Sequence, residues 1–453
     1  MRAISLFTSG LLLAGACRAS PHPAPSPRLQ QLQQPLSSIE EPHNAAVTAD
    51  KLDLEHVIDT SPLLSLHRDL VKIESISGNE QEVGDFIIRY LDARDFTVEK
   101  QVVAASNNNT RFNIYAYPKS SPSAPKVLLS THIDTVPPYI PYSLSLPSGA
   151  EPTRDNILIS GRGSVDAKAS VAAQIISALE YLQQPGDDAS SSSSSSSLGL
   201  LFVVGEEVDG IGMQHFSQSA LNTSPPTFHT VIFGEPTELA LVAGHKGSLF
   251  FKISATGKAA HSGYPWLGRS AFSALLPALA KLETLGDIPE SEGGIPGSAK
   301  LGKSTINIGR VEAGIASNVV PAYAEALVNI RLAYGDVEKV KEIVVRAVRE
   351  ATGGDESVAI EWGNNGTGHK PIDFDTDVDG FDVVTVNYAT DAWYLELHDG
   401  AGGRPVGRVH RYLYGPGSIF VAHGADEAIT VGDLEAAVTG YKKLIDAAFE
   451  RNS

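Results

Sequence analysis

The sequence predicts an α/β fold, a sheet covered by helices on both faces, with a smaller β-α-β-β-α-β unit inserted into it. Three observations carry this. Short apolar runs at Lys126 to Ser130, Leu198 to Val204 and Thr230 to Phe233 have the length and texture of buried strands. Segments with apolar residues at helical spacing alternate with them. From about Lys246 the texture changes, and strands there alternate apolar with polar residues.

The elements follow in chain order. Arg2 and the short apolar stretch Ile4 to Ala14 read as a secretory signal over residues 1–19, too short to span a bilayer. Small residues around Cys17-Arg18-Ala19 place the mature start near Ser20, while a lipoprotein-type cut before Cys17 meets Ala14 where such sites prefer Leu. Residues 20–58, rich in Pro, Ser and Gln, read as a flexible leader or propeptide. The first part of the large domain is expected over 59–245. Leu63 to Lys72, Glu80 to Arg94 and Ala167 to Leu182 read as helices; Thr97 to Val103, Thr110 to Tyr117 and Ile157 to Ile159 as strands. The serine run Ser190 to Ser197 reads as a surface insertion.

The inserted unit is expected over 246–365. Strands at Ser248 to Thr256, Thr305 to Val311, Tyr323 to Leu332 and Val358 to Trp362 interleave with helices at Ser270 to Leu285 and Val337 to Ala351. That order resembles a ferredoxin-like domain. The large domain resumes over 366–453 and ends in a helix carrying Leu434, Val438, Tyr441, Ile445 and Ala448 on one face.

Composition narrows the chemistry. The chain of 453 residues has a net charge of −18, which repels nucleic acid and acidic membrane surfaces. Cys17 is the only cysteine, so a thiol nucleophile and thiolate metal ligands are excluded once the signal is removed. Any transition metal must be held by His and carboxylates. Asn108, Asn222 and Asn365 head N-x-S/T sequons and are expected glycosylation sites in a secreted protein. A serine hydrolase lacks its G-x-S-x-G, and a single-zinc protease lacks its H-E-x-x-H.

Five carboxylate or histidine sites follow apolar runs or tight turns, where open α/β sheets bind ligands. His132 and Asp134 stand two apart after Val127-Leu128-Leu129, so both side chains point the same way. They read either as a metal ligand with its orienting carboxylate or as a capped strand end. Asp166, after a glycine-rich turn, reads on its own as a helix N-cap. Glu206 and Glu207 end an apolar run, where unpaired charge is costly to bury. Glu207 then suits a metal, and Glu206 a base for water. Glu235 follows the strand Thr230 to Phe233, and His423 follows Ile419-Phe420-Val421-Ala422, an apolar run read in the same way as a strand. Together they supply two histidines and three carboxylates as ligands, a set that suits a pair of zinc ions sharing one carboxylate.

The motifs carrying these residues are Ser130-Thr131-His132-Ile133-Asp134-Thr135-Val136-Pro137, Gly161-Arg162-Gly163-Ser164-Val165-Asp166-Ala167-Lys168, Glu206-Glu207, Gly234-Glu235-Pro236-Thr237, His261-Ser262-Gly263, Gly415-Pro416-Gly417 and His423. In this order the chain resembles the M20 metallopeptidase family, which includes acetylornithine deacetylase, succinyl-diaminopimelate desuccinylase and glutamate carboxypeptidase. The resemblance runs from about Leu63 to Phe449. It implies a zinc-exopeptidase-like mixed sheet with an inserted lid that often forms a dimer interface. It implies two Zn2+ per chain, with Co2+ or Mn2+ as substitutes: His132 and Glu235 on one, Glu207 and His423 on the other, Asp166 bridging. Glu206 would be the proton shuttle, Asp134 the partner of His132, and Asp166–Ala167 a cis peptide. His261 would stabilise the oxyanion, reaching across a homodimer, although its motif also reads as a surface loop. Asn318 and Arg331 would contact the substrate carboxylate, an ordinary strand arginine being the other reading of Arg331, and Gly417 would bring backbone groups to the substrate.

Three departures stand out: Ala167 after Asp166, the serine insertion, and a long irregular stretch from Gly366 to Arg411 with an acidic run from Asp373 to Asp382. The expected activity is a secreted carboxypeptidase acting on peptides. An N-acyl-amino-acid deacylase, an aminopeptidase with a related two-metal site and a non-catalytic binding protein are the alternatives.

Overall fold

The computed structural model describes residues 54–105, 110–120, 125–183, 198–223, 227–363, 366–397 and 408–451. The signal segment, Asn108, Asn365 and the serine run lie outside them. Helices α1 (Pro62–Lys72) and α2 (Gln81–Asp92) precede three strands, β1 (Phe96–Ala105), β2 (Thr110–Pro118) and β3 (Val127–His132). Two short strands, β4 (Ser143–Ser145) and β5 (Leu158–Ser160), lead to α3 (Lys168–Gln183). Then come β6 (Leu198–Val203), α4 (Ile211–Ser217), β7 (Thr230–Phe233) and β8 (Leu241–His245). The inserted unit runs β9 (Gly247–Thr256), α5 (Ala271–Leu285), β10 (Thr305–Ala313), β11 (Tyr323–Leu332), α6 (Val337–Ala351) and β12 (Val358–Trp362). The chain returns through β13 (Ile372–Asp373), β14 (Val383–Val386), β15 (His410–Leu413) and β16 (Ala428–Thr430) to α7 (Val431–Glu450).

The main sheet has the order β1-β2-β6-β3-β7-β15. β6, β3, β7 and β15 are parallel, and β1 and β2 are antiparallel additions at one edge. Strand period two explains why these runs carry no polar alternation. Val127 and Leu129 enter the core beneath α1, α2, α3 and α7, while Leu128 enters the core on the opposite face. Leu198, Leu200 and Phe202 divide from Leu201 and Val203 in the same way. The second face is covered by Met213 and Phe216 of α4 and by the small β13-β8-β14 sheet.

The inserted unit has its own core. Its sheet order, β10-β11-β9-β12, is antiparallel throughout and is the ferredoxin-like arrangement expected. α5 and α6 cover one face, with Leu275, Leu279 and Leu282 meeting Val340, Ile343 and Val344 over Phe251, Ile253 and Val328.

Two expectations are corrected. The leader does not extend to residue 58. Residues 54–59 are helical, and Leu54 and Ile58 are buried in the main core, so the folded part begins by Leu54. The run Ile419 to Ala422 is not a strand. It is a turn with Phe420 exposed, and the strand feeding this part of the site is β15. The turn ends at His423, in the left-handed region at φ 64°, a conformation no strand accommodates.

Candidate metal centre

Because β3, β6, β7 and β15 run parallel, the loops leaving them emerge at one edge of the sheet. His132 is the last residue of β3; Glu206 and Glu207 follow β6; Glu235 follows β7; and His423 lies in the loop after β15. Asp166 reaches the same edge from the turn before α3, where the Asp166–Ala167 peptide is cis. Glycines shape two of these turns. Gly163 has φ 84°, and a Cβ there would stand 2.9 Å from the Thr135 side chain. Gly205 has φ 78°, and a Cβ there would stand 2.8 Å from the Arg111 guanidinium. Only glycine meets both conditions without strain.

The side chains converge. His132 Nε2 lies 3.0 Å from Asp166 Oδ1 and 3.9 Å from Glu235 Oε1. His423 Nε2 lies 3.3 Å from Asp166 Oδ2 and 3.0 Å from Glu207 Oε2. Asp166 thus presents one oxygen to each histidine. Two donor groups lie within 4.8 Å internally: His132 with Glu206 and Glu235, and His132 with Asp166 and Glu207. Glu206 is therefore as close to His132 and Glu235 as a ligand would be.

Asp134 does more than orient His132. His132 Nδ1 is 3.0 Å from the Asp134 backbone carbonyl and 3.5 Å from its carboxylate. The carboxylate accepts hydrogen bonds from Ser77 Oγ at 2.7 Å and from the amides of Glu206 at 3.1 Å and Glu207 at 3.2 Å. One buried aspartate ties the β3 loop to the β6 loop.

The electrostatics call for cations. Asp166, Glu206, Glu207 and Glu235 crowd one site, and among the described residues no Lys or Arg pairs with any of them. Burial pushes Glu206 and Glu235 well above the ordinary carboxylate range, and the Glu235 charge beside Glu206 adds to it. Burial opposes a proton on His132, yet Asp134 and Asp166 outweigh it and hold its pKa well above the ordinary value. Hydrogen bonds to Asp166 and Glu207 push His423 up to about 10. Protons gather where positive charge is missing. A donor set of imidazoles and carboxylates, closely spaced and short of counter-charge, fits two divalent cations.

The remaining expected residues are placed differently. His261 and Asn318 sit together on the inserted unit, both exposed, where Ser262 N–H donates to the Asn318 carbonyl. Neither has a hydrogen bond to the donor cluster among the described residues. Arg331 is half-buried near the end of β11, close enough to feel the Glu206 charge. Gly417, at φ 76°, packs on Val165, and its carbonyl accepts the Glu238 amide. Asn222 is corrected as a glycan site. It is buried, and its Nδ2 donates to the carbonyls of Ser217 and Glu396, so the amide is committed inside the fold.

Two residues escaped the sequence reading. Asp391 is buried, its Oδ1 has no hydrogen-bond partner among the described residues, and burial pushes it up to about 7. Tyr388 donates to the carbonyl of Pro236, next to Glu235. Both come from the irregular stretch after Gly366, which has no periodicity to mark them.

A parallel-sheet edge carrying this donor set, with an inserted ferredoxin-like unit, defines a two-domain metallohydrolase. Residues 243–356 match the peptidase dimerisation domain. The chain is 73% identical over 462 residues to a protein of Talaromyces marneffei named a probable carboxypeptidase, covering 100% of both. It therefore belongs to the M20 family of metallopeptidases and is a hydrolase. Among solved structures, an M20 family metallo-carboxypeptidase of Sulfolobus solfataricus superposes with TM-score 0.61 at 16% identity, covering 86% of this chain and 100% of that one. A dinuclear metal-binding M20 peptidase of Bacillus subtilis superposes with TM-score 0.56 at 15% identity, covering 86% and 98%. At these identities the likeness is one of fold.

Proposed function

We propose that this chain is a secreted di-zinc carboxypeptidase in which Glu206 moves the proton. The observation that carries the proposal is the convergence of His132, Asp166, Glu207, Glu235 and His423 at one sheet edge, with no Lys or Arg paired to any of the carboxylates among the described residues. His132, Asp166 and Glu235 would hold one ion; Asp166, Glu207 and His423 the other. A pair of zinc ions supplies Lewis acidity toward water and the scissile carbonyl. Glu206 takes the proton from the attacking water and delivers it to the departing amine. Asp134 holds the β6 loop through the amides of Glu206 and Glu207 and so keeps Glu206 beside the ligand cluster. Arg331 would receive a free C-terminal carboxylate, a group its planar fork suits. The relatives named probable carboxypeptidases support the choice of substrate end. The apolar stretch Ile4 to Ala14 supports export.

The test pairs metal content with a substrate panel: peptides with free and blocked C-termini, peptides with blocked N-termini, and N-acetyl amino acids. The expected protein holds two zinc ions and cleaves only substrates with a free C-terminus, whatever the state of the N-terminus. Preference for N-acetyl amino acids would make it a deacylase, and full activity without metal would end the proposal. Glu206→Gln should lower kcat by about 10²- to 10⁴-fold while metal content stays at the wild-type level.

A further inference from the structure

One buried polar network next to the donor cluster uses two residues that have had no role so far. Arg162 and Glu427 are 2% and 1% exposed and lie 265 positions apart in the chain. Arg162 Nη1 donates to Glu427 Oε2 at 2.6 Å. The other carboxylate oxygen, Oε1, accepts the backbone N–H of Val165 at 2.9 Å and of Asp166 at 3.1 Å. The Glu427 carbonyl accepts Gly161 N–H and Ser164 Oγ, both at 3.2 Å. From the other end of the pair, Arg162 Nη2 donates to the His423 carbonyl at 3.3 Å. Glu427 therefore grips the turn that carries Asp166. Arg162 lies in that turn and grips the one that carries His423, whose backbone sits at φ 64°.

A buried ion pair is weak support for a fold, since an apolar pair of similar volume often serves as well. What an apolar pair cannot do is bind two amides and a carbonyl on two different ligand loops. We propose that Arg162 and Glu427 are a positioning pair: they fix Asp166 and His423 relative to each other, and so set the metal position that those two residues share with Glu207. This rests on the two-cation reading of the site. It goes beyond that reading by assigning the geometry of one ion to residues that never touch it.

The test is a zinc titration of the metal-free full-length chain, read by competition with a chromophoric chelator. Wild type, Glu427→Gln and the volume-matched double variant Arg162→Met/Glu427→Leu are compared. Thermal unfolding of each metal-free protein is measured alongside. The expected result is two zinc equivalents for wild type. In the double variant one of the two binds 10- to 100-fold more weakly, the range for partners that orient metal ligands, and the other is nearly unchanged. Glu427→Gln keeps an oxygen for the two amides but turns an N–H toward Arg162. It should weaken the same ion by about tenfold, and it stands in if the double variant does not fold. Variants that melt earlier yet bind both ions as wild type does would overturn the positioning role and leave the two-cation site standing. A wild type that takes up fewer than two equivalents would overturn the site itself, and the pair's role with it.

Discussion

At the scale of single residues, burial decides what each ionisable group does. Asp134 is buried and stays charged because His132, a serine hydroxyl and two backbone amides hold the negative form. Glu206 is crowded by Glu235 instead, and its charged form is disfavoured. His67 shows the same logic away from the site. It is fully buried on α1, its Nε2 donates to the Ser164 carbonyl, and its Nδ1 has no partner among the described residues. Burial lowers its pKa from 6.5 to about 4. The unfolded chain therefore binds the proton first as pH falls. Above pH 6.5 the ring is neutral in both states and costs nothing; the penalty grows as pH falls from there and reaches roughly 3 kcal/mol at about pH 4. His67→Gln can keep the bond to Ser164 and cannot titrate. Urea midpoints measured from pH 7.5 to 4 should fall less steeply in that variant than in wild type. Parallel curves would show that His67 does not carry the acid sensitivity.

At the scale of elements, the ends of strands and helices do the positioning. Helix α7 begins at Thr430, whose Oγ1 accepts the Asp433 amide, and it lays Leu434, Tyr441 and Ile445 into the main core. Thr430→Ala should cost about 1 kcal/mol in urea unfolding, and it should leave zinc stoichiometry untouched because α7 supplies no ligand. The elements legible in sequence were those with a period or an unbroken apolar run. α1, α2, α3, α5, α6 and α7, the parallel strands β3, β6 and β7, and the whole inserted unit fall where apolar spacing places them. His132, Glu206, Glu207 and Glu235 were legible for the same reason, each standing at the end of such a run. β13, β14 and β15 were not. They are two to four residues long and borrow their pairing from β8 and β7, so tertiary contacts specify them. The apolar turn before His423 imitated a strand because four apolar residues in a row carry no period. Glu427 was invisible because its partners, Arg162 and the amides of Val165 and Asp166, lie more than 260 residues away.

At the scale of the whole molecule, the inserted unit matches the peptidase dimerisation domain, and a site shared between two chains is the prediction that follows. The unit's sheet ends in the exposed edge strand β10, and α5 presents Phe272 and Leu276, one turn apart, to solvent. His261 and Asn318 are exposed on the same unit and have no hydrogen bond to their own donor cluster among the described residues. A dimer formed through this unit would let His261 of each copy serve the other's site. Mixed variants test this without any structure of the dimer. Glu206→Gln removes the proposed proton shuttle, His261→Ala removes the oxyanion donor that the family resemblance implies, and each alone should be nearly inactive. If His261 acts across the dimer, a mixed dimer contains one site with both residues intact and one with neither. Equal mixing with free exchange puts half of the dimers in that state, so about a quarter of wild-type activity should return. If His261 serves its own chain, every site lacks one residue or the other, and mixing restores nothing. The oligomer that exchanges can be followed by light scattering. Leu276→Glu should shift it to monomer and abolish the recovery, because a charge on that face opposes burial.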